Sequence, residues 1–594
     1  MSLMSSLYTG VSGLLVNQRG LNATAHNLSN VETTGYVRQQ AVFSDSIYRN
    51  IGQNSISYLQ IGHGAQADAI RQVRNIFFDK SYRQELGRQQ FYQSQYETTV
   101  EVQEILGETE GVAFQTSVKE LWEAMSELAK EPDSIVTRTS FIQTAVSFME
   151  RAETVAYEIE EYQVSLNTEI NKYVGRINQI GDEIQALNAK IQMYEASKQE
   201  QANDLRDARN VLLDELGGLA GITYKENASG VVTVMLEDYP FVTEDLVYHM
   251  DTRYVNEKDG MLEPYWPCYA DAKVFNFYPL PNSEANTDIG VLKGLLLARG
   301  DKVGKYTDIP KKPKKEDFTD ENGVFWEEDY KAAEKQYNKD VKEFNNTTDA
   351  SAVVSVQAQF DQLIHGIVTT INDLLSPNKQ VVTADGEKIM IFDEDKAPVG
   401  MDKDATPGEA LFSRKSMDRY ERTTVTIEVD GVWQDVEVWK YNEEDPEDNY
   451  SLFTLGEIRV NPNLLKDPSK LPLSRKGSTG DYSIEVCEAL LTAWQTPFST
   501  LTPNDYADLN FNNYYKEMIG ALGTRGEKYR KEYTGQETLV NSIENQRQAV
   551  HAVSSDEELS NMIRFQQAYN ASARYVNTVS EMLDHLLNTL GASR

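Results

Sequence analysis

The sequence predicts an α+β multidomain chain: a terminal α-helical coiled coil plus a long-helix bundle, with inserted β-rich outer domains. Three observations carry this. Positions 7, 11, 14, 18, 21, 25 and 28 read Leu, Val, Leu, Gln, Leu, Ala, Leu, a strict 3–4 spacing that marks one narrow apolar seam. Positions 562, 565, 569, 572, 576, 579, 583, 586 and 590, near the other end, read Met, Phe, Tyr, Ser, Val, Val, Leu, Leu, Leu at the same spacing. Between them, after Gly221, the helical period gives way to alternating and Pro-punctuated sequence.

The N-terminal seam ends in the run NLSN, and Gly35 is the expected turn residue. A short helix is expected over 114–130, closed by Pro132. A long one follows over about 140–216, with apolar residues at 159, 162, 166, 170, 173, 177, 180, 184, 187, 191 and 194. Gly217 and Gly218 stop it. The run GITYKENASGVVTVML over 221–236 reads as a hairpin. Helices return at 289–299, 351–375 and from 512 to the end. Residues 305–346 are charged, with few aliphatics, and read as an exposed insertion. The chain thus divides into an inner coiled-coil domain of 1–78 and 552–594, and a helical bundle with a β-hairpin of 79–236, 287–300, 351–376 and 505–551. A β-rich outer domain of 237–286 and 377–504 and a charged insertion of 301–350 complete it. A seam as narrow as these is not buried by a lone helix in water. Both lie at chain ends, where most domains are polar and frayed. They therefore point to self-assembly, with two ordinary helices on one globular core as the alternative.

With 594 residues the chain has room for roughly three or four domains on a length prior. Its net charge of -35 disfavours phosphate backbones and anionic lipid, so neither nucleic acid nor membrane is an expected partner. No run of about 18 apolar residues occurs, so no transmembrane span is expected. The start, MSLMSSLYTGVSGLL, lacks a basic n-region and a long apolar h-region, so no cleavable secretory signal is expected. Cys268 and Cys487 have no metal or redox spacing and are expected as unpaired thiols. The six histidines fall in no metal-binding pattern, and no phosphate loop, dinucleotide fingerprint or nucleophile elbow occurs. Asp393, Glu394 and Asp395 resemble the start of a calcium loop. Ala397 and Pro398 stand where a ligand and the turn glycine belong, so a solvated loop is the better reading. No catalytic residue, cofactor or metal is expected, and the chain reads as a structural protein, not an enzyme.

The run NLSNVETTGY over 27–36 resembles the Asn-rich motif of the flagellar axial proteins of the rod, hook and hook-associated classes. Its continuation as GYVRQ is similar to the hook-associated protein 1 family, where rod and hook proteins typically continue with a Phe-Lys pair. NQRQAV over 545–550, DEEL over 556–559 and RFQQAY over 564–569 agree, as do DLRDAR over 204–209, LLDELGGLAGI over 212–222 and the run 288–297. The resemblance covers about 1–60, 140–236, 288–300, 351–375 and 510–594; the family's signal after the last of the middle helices is replaced by LSPNK at 375–379. It implies an inner coiled coil built from both termini, a helical domain next to it and β-rich domains facing outward. It also implies a ring of identical subunits at the hook–filament junction, outside the cell. The expected neighbours are hook protein on one side and hook-associated protein 3 on the other, with an export chaperone in the cytoplasm before type III export. On this reading Leu7, Val11, Leu14, Leu21 and Leu28 pack in the tube wall against Phe565, Tyr569, Val576, Val579, Leu583 and Leu586. Asn27, Asn30, Gly35 and Tyr36 set the turn leaving the inner helix. Arg38 and Arg564 make inter-subunit polar contacts or face solvent. Rival readings are another axial protein, such as hook protein or hook-associated protein 3, or a coiled-coil stalk carrying a ligand-binding or enzymatic domain.

Overall fold

The computed structural model of the protein describes residues 3–53, 58–107, 114–197, 201–256, 258–319, 325–429, 432–474 and 484–591. Its first helix, α1 (Leu3–Ser29), runs beside the last, described below. Two hairpins follow, in which β1 (Gln39–Asp45) pairs β4 (Ala65–Gln72) and β2 (Tyr48–Gln53) pairs β3 (Tyr58–Gly62). Their turn lies against α1, where the Ala65 N–H donates to Ser12 Oγ at 3.3 Å.

The body begins with α2 (Ile76–Ile105), capped by the Asn75 side chain, which accepts from the Phe77 N–H at 3.0 Å. Next come α3 (Phe114–Lys130), α4 (Ile135–Glu195) and α5 (Asn203–Leu219). The α4 helix, 61 residues long, realises the middle seam: Ile159, Ile170, Ile177, Ile180, Ile184 and Ile191 are all fully buried. The expected continuous helix to 216 instead breaks after Glu195. Arg206, one turn into α5, folds back on the Glu195 carboxylate at 2.8 Å, and that ion pair holds the turn.

After α5 the chain forms two three-stranded sheets, β5 (Ile222–Glu226), β6 (Val232–Leu236) and β7 (Tyr239–Val242), then β8 (Asp251–Asn256), β9 (Met261–Trp266) and β10 (Ala272–Lys273). Helices α6 (Val291–Arg299), α7 (Glu327–Asn346) and α8 (Ala352–Leu375) come next. A four-stranded sheet of order β11-β12-β15-β14 stands beyond, from β11 (Asn378–Val382), β12 (Lys388–Phe392), β14 (Tyr420–Val429) and β15 (Val432–Tyr441). Between and after these strands, β13 (Phe412–Arg414) pairs β16 (Ile458–Val460). The chain closes with α9 (Pro462–Lys466), α10 (Ile484–Gln495), α11 (Phe511–His551) and α12 (Ser555–Gly591).

Two cores share α4 as their spine. One gathers α3, the first half of α4, α8, α10 and the start of α11 around Phe114, Phe148, Phe360 and Tyr515. The other gathers the second half of α4 with α5, α6 and the sheets of 222–273 around Trp266 and Phe241. This corrects the expected boundaries. Residues 237–286 do not stand outside with 377–504, because Phe241, Trp266 and Phe275 are buried in the core that α4 shares. Within 377–504, Leu411, Phe412, Phe453, Leu471 and Cys487 belong to the first core, and the four-stranded sheet has a small core of its own, around Ile389, Ile391, Ile427 and Val438. The insertion 301–350 exposes the charged face of α7 but is anchored at both ends by buried Ile309 and Phe344. Cys268 is exposed, and both cysteines are free.

The sequence shows no apolar period over α2, because its buried face is polar: Asp79, Arg83, Arg88, Ser94, Gln95, Thr98 and Thr99 all lie inside. Ser94 and Thr99 bond back to carbonyls of their own helix, while others reach distant segments, as in Arg88 Nε to Asp288 Oδ1 at 3.1 Å and Gln95 Nε2 to the Gly294 carbonyl at 2.5 Å. Burying such groups without a partner costs about 1–3 kcal/mol each.

Candidate assembly interface

The two terminal helices form a rod in which α12 presents Phe565, Ser572 and Val576 of its 3–4 line to α1, while α1 meets them off its leucine line. The line of α1 that meets α12 runs through Gly10, Gly13, Gly20, Thr24 and Asn27, one residue and so about 100° from the leucine line. A Cβ on Gly10 would lie 2.7 Å from Val576 Cγ2, one on Gly13 2.9 Å from Ser572 Oγ, and one on Gly20 2.8–2.9 Å from three ring atoms of Phe565. Glycines let the helices approach closely, where a leucine ridge would hold them apart. Consequently Leu7, Leu14, Leu21 and Leu28 are half-buried and Val11 is exposed. On α12, Val579 is buried, Phe565, Val576 and Leu583 are half-buried, and Tyr569 and Leu586 are exposed. The side chain of Leu590, last in that seam, lies outside the described residues.

The far half of the rod carries large apolar side chains that leave much of their surface exposed. They are Met4, Tyr8, Val11 and Leu15 on α1, at one-turn spacing, and Tyr575, Met582, Leu586 and Leu587 on α12.

The near half joins the body, and Asn27 is its centre. Asn27 is 1% exposed. Its Nδ2 donates to the Gln39 carbonyl at 2.8 Å and to Glu558 Oε2 at 3.2 Å. Its Oδ1 accepts from Tyr36 Oη at 2.8 Å and from the Gln39 N–H at 2.9 Å. Burial, with Asp204, Asp207 and Glu558 nearby, raises the Tyr36 hydroxyl far above its usual range, so it stays protonated and donates. Gly35 takes φ +78°, and a Cβ there would lie 2.3 Å from Val211 Cγ2, so the turn requires glycine. Asn30 closes the helix end by donating from Nδ2 to the His26 carbonyl at 2.9 Å. Arg38 donates from Nε to Glu558 Oε1 and from Nη2 to Glu557 Oε1, both at 2.9 Å, so within one chain it binds α12. Arg564 is exposed, 5.1 Å from the centre of the Phe565 ring.

The residues that receive these ends on the body side stand in or beside the motif runs of the sequence, which gave them no role of their own. Asp207 accepts from the Val37 N–H at 3.1 Å and from Gln72 Nε2 at 2.6 Å, and burial raises its carboxyl to about 7. His551, at the end of α11, takes the Arg38 N–H on its carbonyl at 2.9 Å and the Asn75 N–H on Nε2 at 3.1 Å. Burial pushes that imidazole below its usual value, consistent with a neutral ring accepting at Nε2. Asp214 bridges Arg83 and Arg547 at 2.6 Å each, tying α2, α5 and α11. The motif segments 27–39, 204–214, 547–551 and 557–558 thus converge on one joint. One cue was present: Ser554 and Glu557 form the S-x-x-E pattern of a helix start.

Among the described residues no group of three His, Cys, Asp or Glu is placed to hold a metal, and no helix is long and apolar enough to cross a membrane.

Residues 99–388 match the model of the flagellar hook-associated protein FlgK helical domain. Residues 7–36 match that of the flagella basal body rod protein, and 551–589 that of the flagellar basal body rod FlgEFG protein C-terminal. Flagellar hook-associated protein 1 of Bacillus subtilis is 23% identical over 592 residues, 99% of either chain. That of Escherichia coli is 22% identical over 608 residues, covering 98% of this chain and all of the relative. The structure of the flagellar hook junction protein FlgK from Burkholderia pseudomallei overlays with a TM-score of 0.47 at 12% identity, covering 80% of this chain and all of that one. The chain belongs to the FlgK family of flagellar hook-associated proteins, structural components of the flagellum.

Proposed function

We propose that this chain builds the junction between hook and filament as the hook-associated protein 1 of its flagellum. Copies leave the cell unfolded through the type III export channel, escorted in the cytoplasm by an export chaperone. They then assemble through their terminal rods into a ring of identical subunits. Hook protein lies on one side of the ring and hook-associated protein 3 on the other. The rod, 1–78 with 552–594, forms the tube wall, and the body and four-stranded sheet face outward. The observation that carries this reading is the far half of the rod, with Met4, Tyr8, Val11 and Leu15 on one helix and Tyr575, Met582, Leu586 and Leu587 on the other. Such a surface in water calls for a partner of its own kind, because an uncovered apolar patch is a liability on a monomer. The chain has no assigned catalytic role in this scheme.

The test is immunogold labelling of isolated flagella from strains carrying the whole chain or one lacking 560–594. A band confined to the hook–filament junction, lost on truncation, is expected. Label along the hook or filament, or a junction band that survives truncation, overturns the proposal.

A further inference from the structure

The break between α11 and α12 spans only Ala552, Val553 and Ser554. It contains neither glycine nor proline, so no residue there forbids a helix running from Phe511 to Gly591. Two sets of contacts hold it open. Locally, Ala552 is extended at φ -69° and ψ 152°, and Ser554 caps α12, its carbonyl accepting from the Glu558 N–H at 2.9 Å. Remotely, Arg38 occupies the gap. In a continuous helix the His551 carbonyl would take the Ser555 N–H; here it takes the Arg38 N–H at 2.9 Å. The Arg38 guanidinium then grips Glu557 and Glu558 in the first turn of α12, both at 2.9 Å. Among the described residues the N–H groups of Val553, Ser554, Ser555 and Asp556 donate no hydrogen bond.

We infer that the α11–α12 joint is a two-state element and that Arg38 is its latch: seated, it keeps the rod bent away at Ala552; withdrawn, it lets the two helices fuse into one. Each state satisfies what the other leaves open. The bent state has the Ser554 cap and the Arg38 plug. The fused state has the i to i−4 bonds of Val553 through Asp556. The latch belongs to the segment that leaves α1, so whatever pulls on α1 acts on the joint. A ring subunit can then present its rod to neighbours at two angles. This rests on the reading of the rod as the assembly element.

The experiment is hydrogen exchange by mass spectrometry on the full-length monomer, following the backbone amides of 553–556. Arg38→Ala keeps the backbone N–H but removes the grip on Glu557 and Glu558, and is expected to slow their exchange at least several-fold, because without that grip the N–H withdraws from His551 and the helix completes. If the latch were merely stabilising, the same substitution would leave exchange unchanged or speed it. Ser555→Pro is tolerated at the first position of a helix but cannot donate to His551, so it should abolish the slowing in the Arg38→Ala background. Unchanged exchange in the α4 and α8 peptides checks that the body stays folded. Unchanged or faster exchange at 553–556 in Arg38→Ala overturns the latch. Assembly plays no part in this readout, so a failure of the latch and a failure of the junction proposal are told apart.

Discussion

Replacing Asn27 by alanine should release the rod from the body. The side chain makes four hydrogen bonds at 2.8–3.2 Å from a site 1% exposed. Each is worth about 0.5–1.5 kcal/mol net, and a buried group left without a partner costs about 1–3 kcal/mol. Four such bonds would span about 2–6 kcal/mol, but they share two atoms and are not additive, and Glu558 keeps Arg38 as a second partner, so we take the lower part of that span, about 3 kcal/mol. At about 1.4 kcal/mol per factor of ten, opening becomes roughly 100-fold more frequent. The assay is amide exchange at Gln39, whose N–H donates to Asn27 Oδ1, with exchange at Ile170 in the α4 core as the internal reference. Asn27→Asp should cost more than Asn27→Ala above pH 6, because it faces the Glu558 carboxylate with a second charge. Gln39 exchange within about threefold of the parent in Asn27→Ala would refute the central role given to this residue.

Two further outcomes follow from the same geometry. Gly20→Val should destabilise the rod by about 1–3 kcal/mol, seen as faster exchange through α1, since its side chain would enter the Phe565 ring. Adding Phe565→Ala should return part of the loss, and a pair that is simply additive would argue against the contact. Asp207 has a folded pKa of about 7 against an ordinary 3.8, chiefly through burial. A raised carboxyl contributes stability that is complete below about pH 4 and is lost as pH rises through about 7, a swing of up to about 4 kcal/mol. Asp207→Asn should flatten that dependence and make the joint firmer than the parent at pH 8 in urea titrations. Equal slopes from pH 5 to 8 in both chains would exclude it.

Much of the architecture was legible because it is periodic. The α4 seam, the Gly35 turn and the hairpin over 222–236 all follow from local spacing or from a backbone need that glycine alone meets. What escaped is of two kinds. The α2 helix carries no apolar period, because Arg83, Arg88 and Gln95 are buried against partners that lie distant in sequence. The boundaries of 237–286 failed for the same reason: aromatic, irregular sequence looks alike whether it faces solvent or covers α4.

The terminal helices mark the division most sharply. Their 3–4 spacing by itself determined that both ends are helical and carry an apolar stripe, since that much depends only on 3.6 residues per turn. Which stripe meets the other helix was decided by tertiary structure. Glycines at 10, 13 and 20 allow an approach that leucines prevent, so α12 settles on the bare line and leaves part of the apolar one uncovered. The joint beneath was likewise decided in three dimensions, where Asn27, Arg38, Asp207, His551 and Glu558 acquire roles only when brought together. Polar groups signal little in isolation, because their energy lies in the partner.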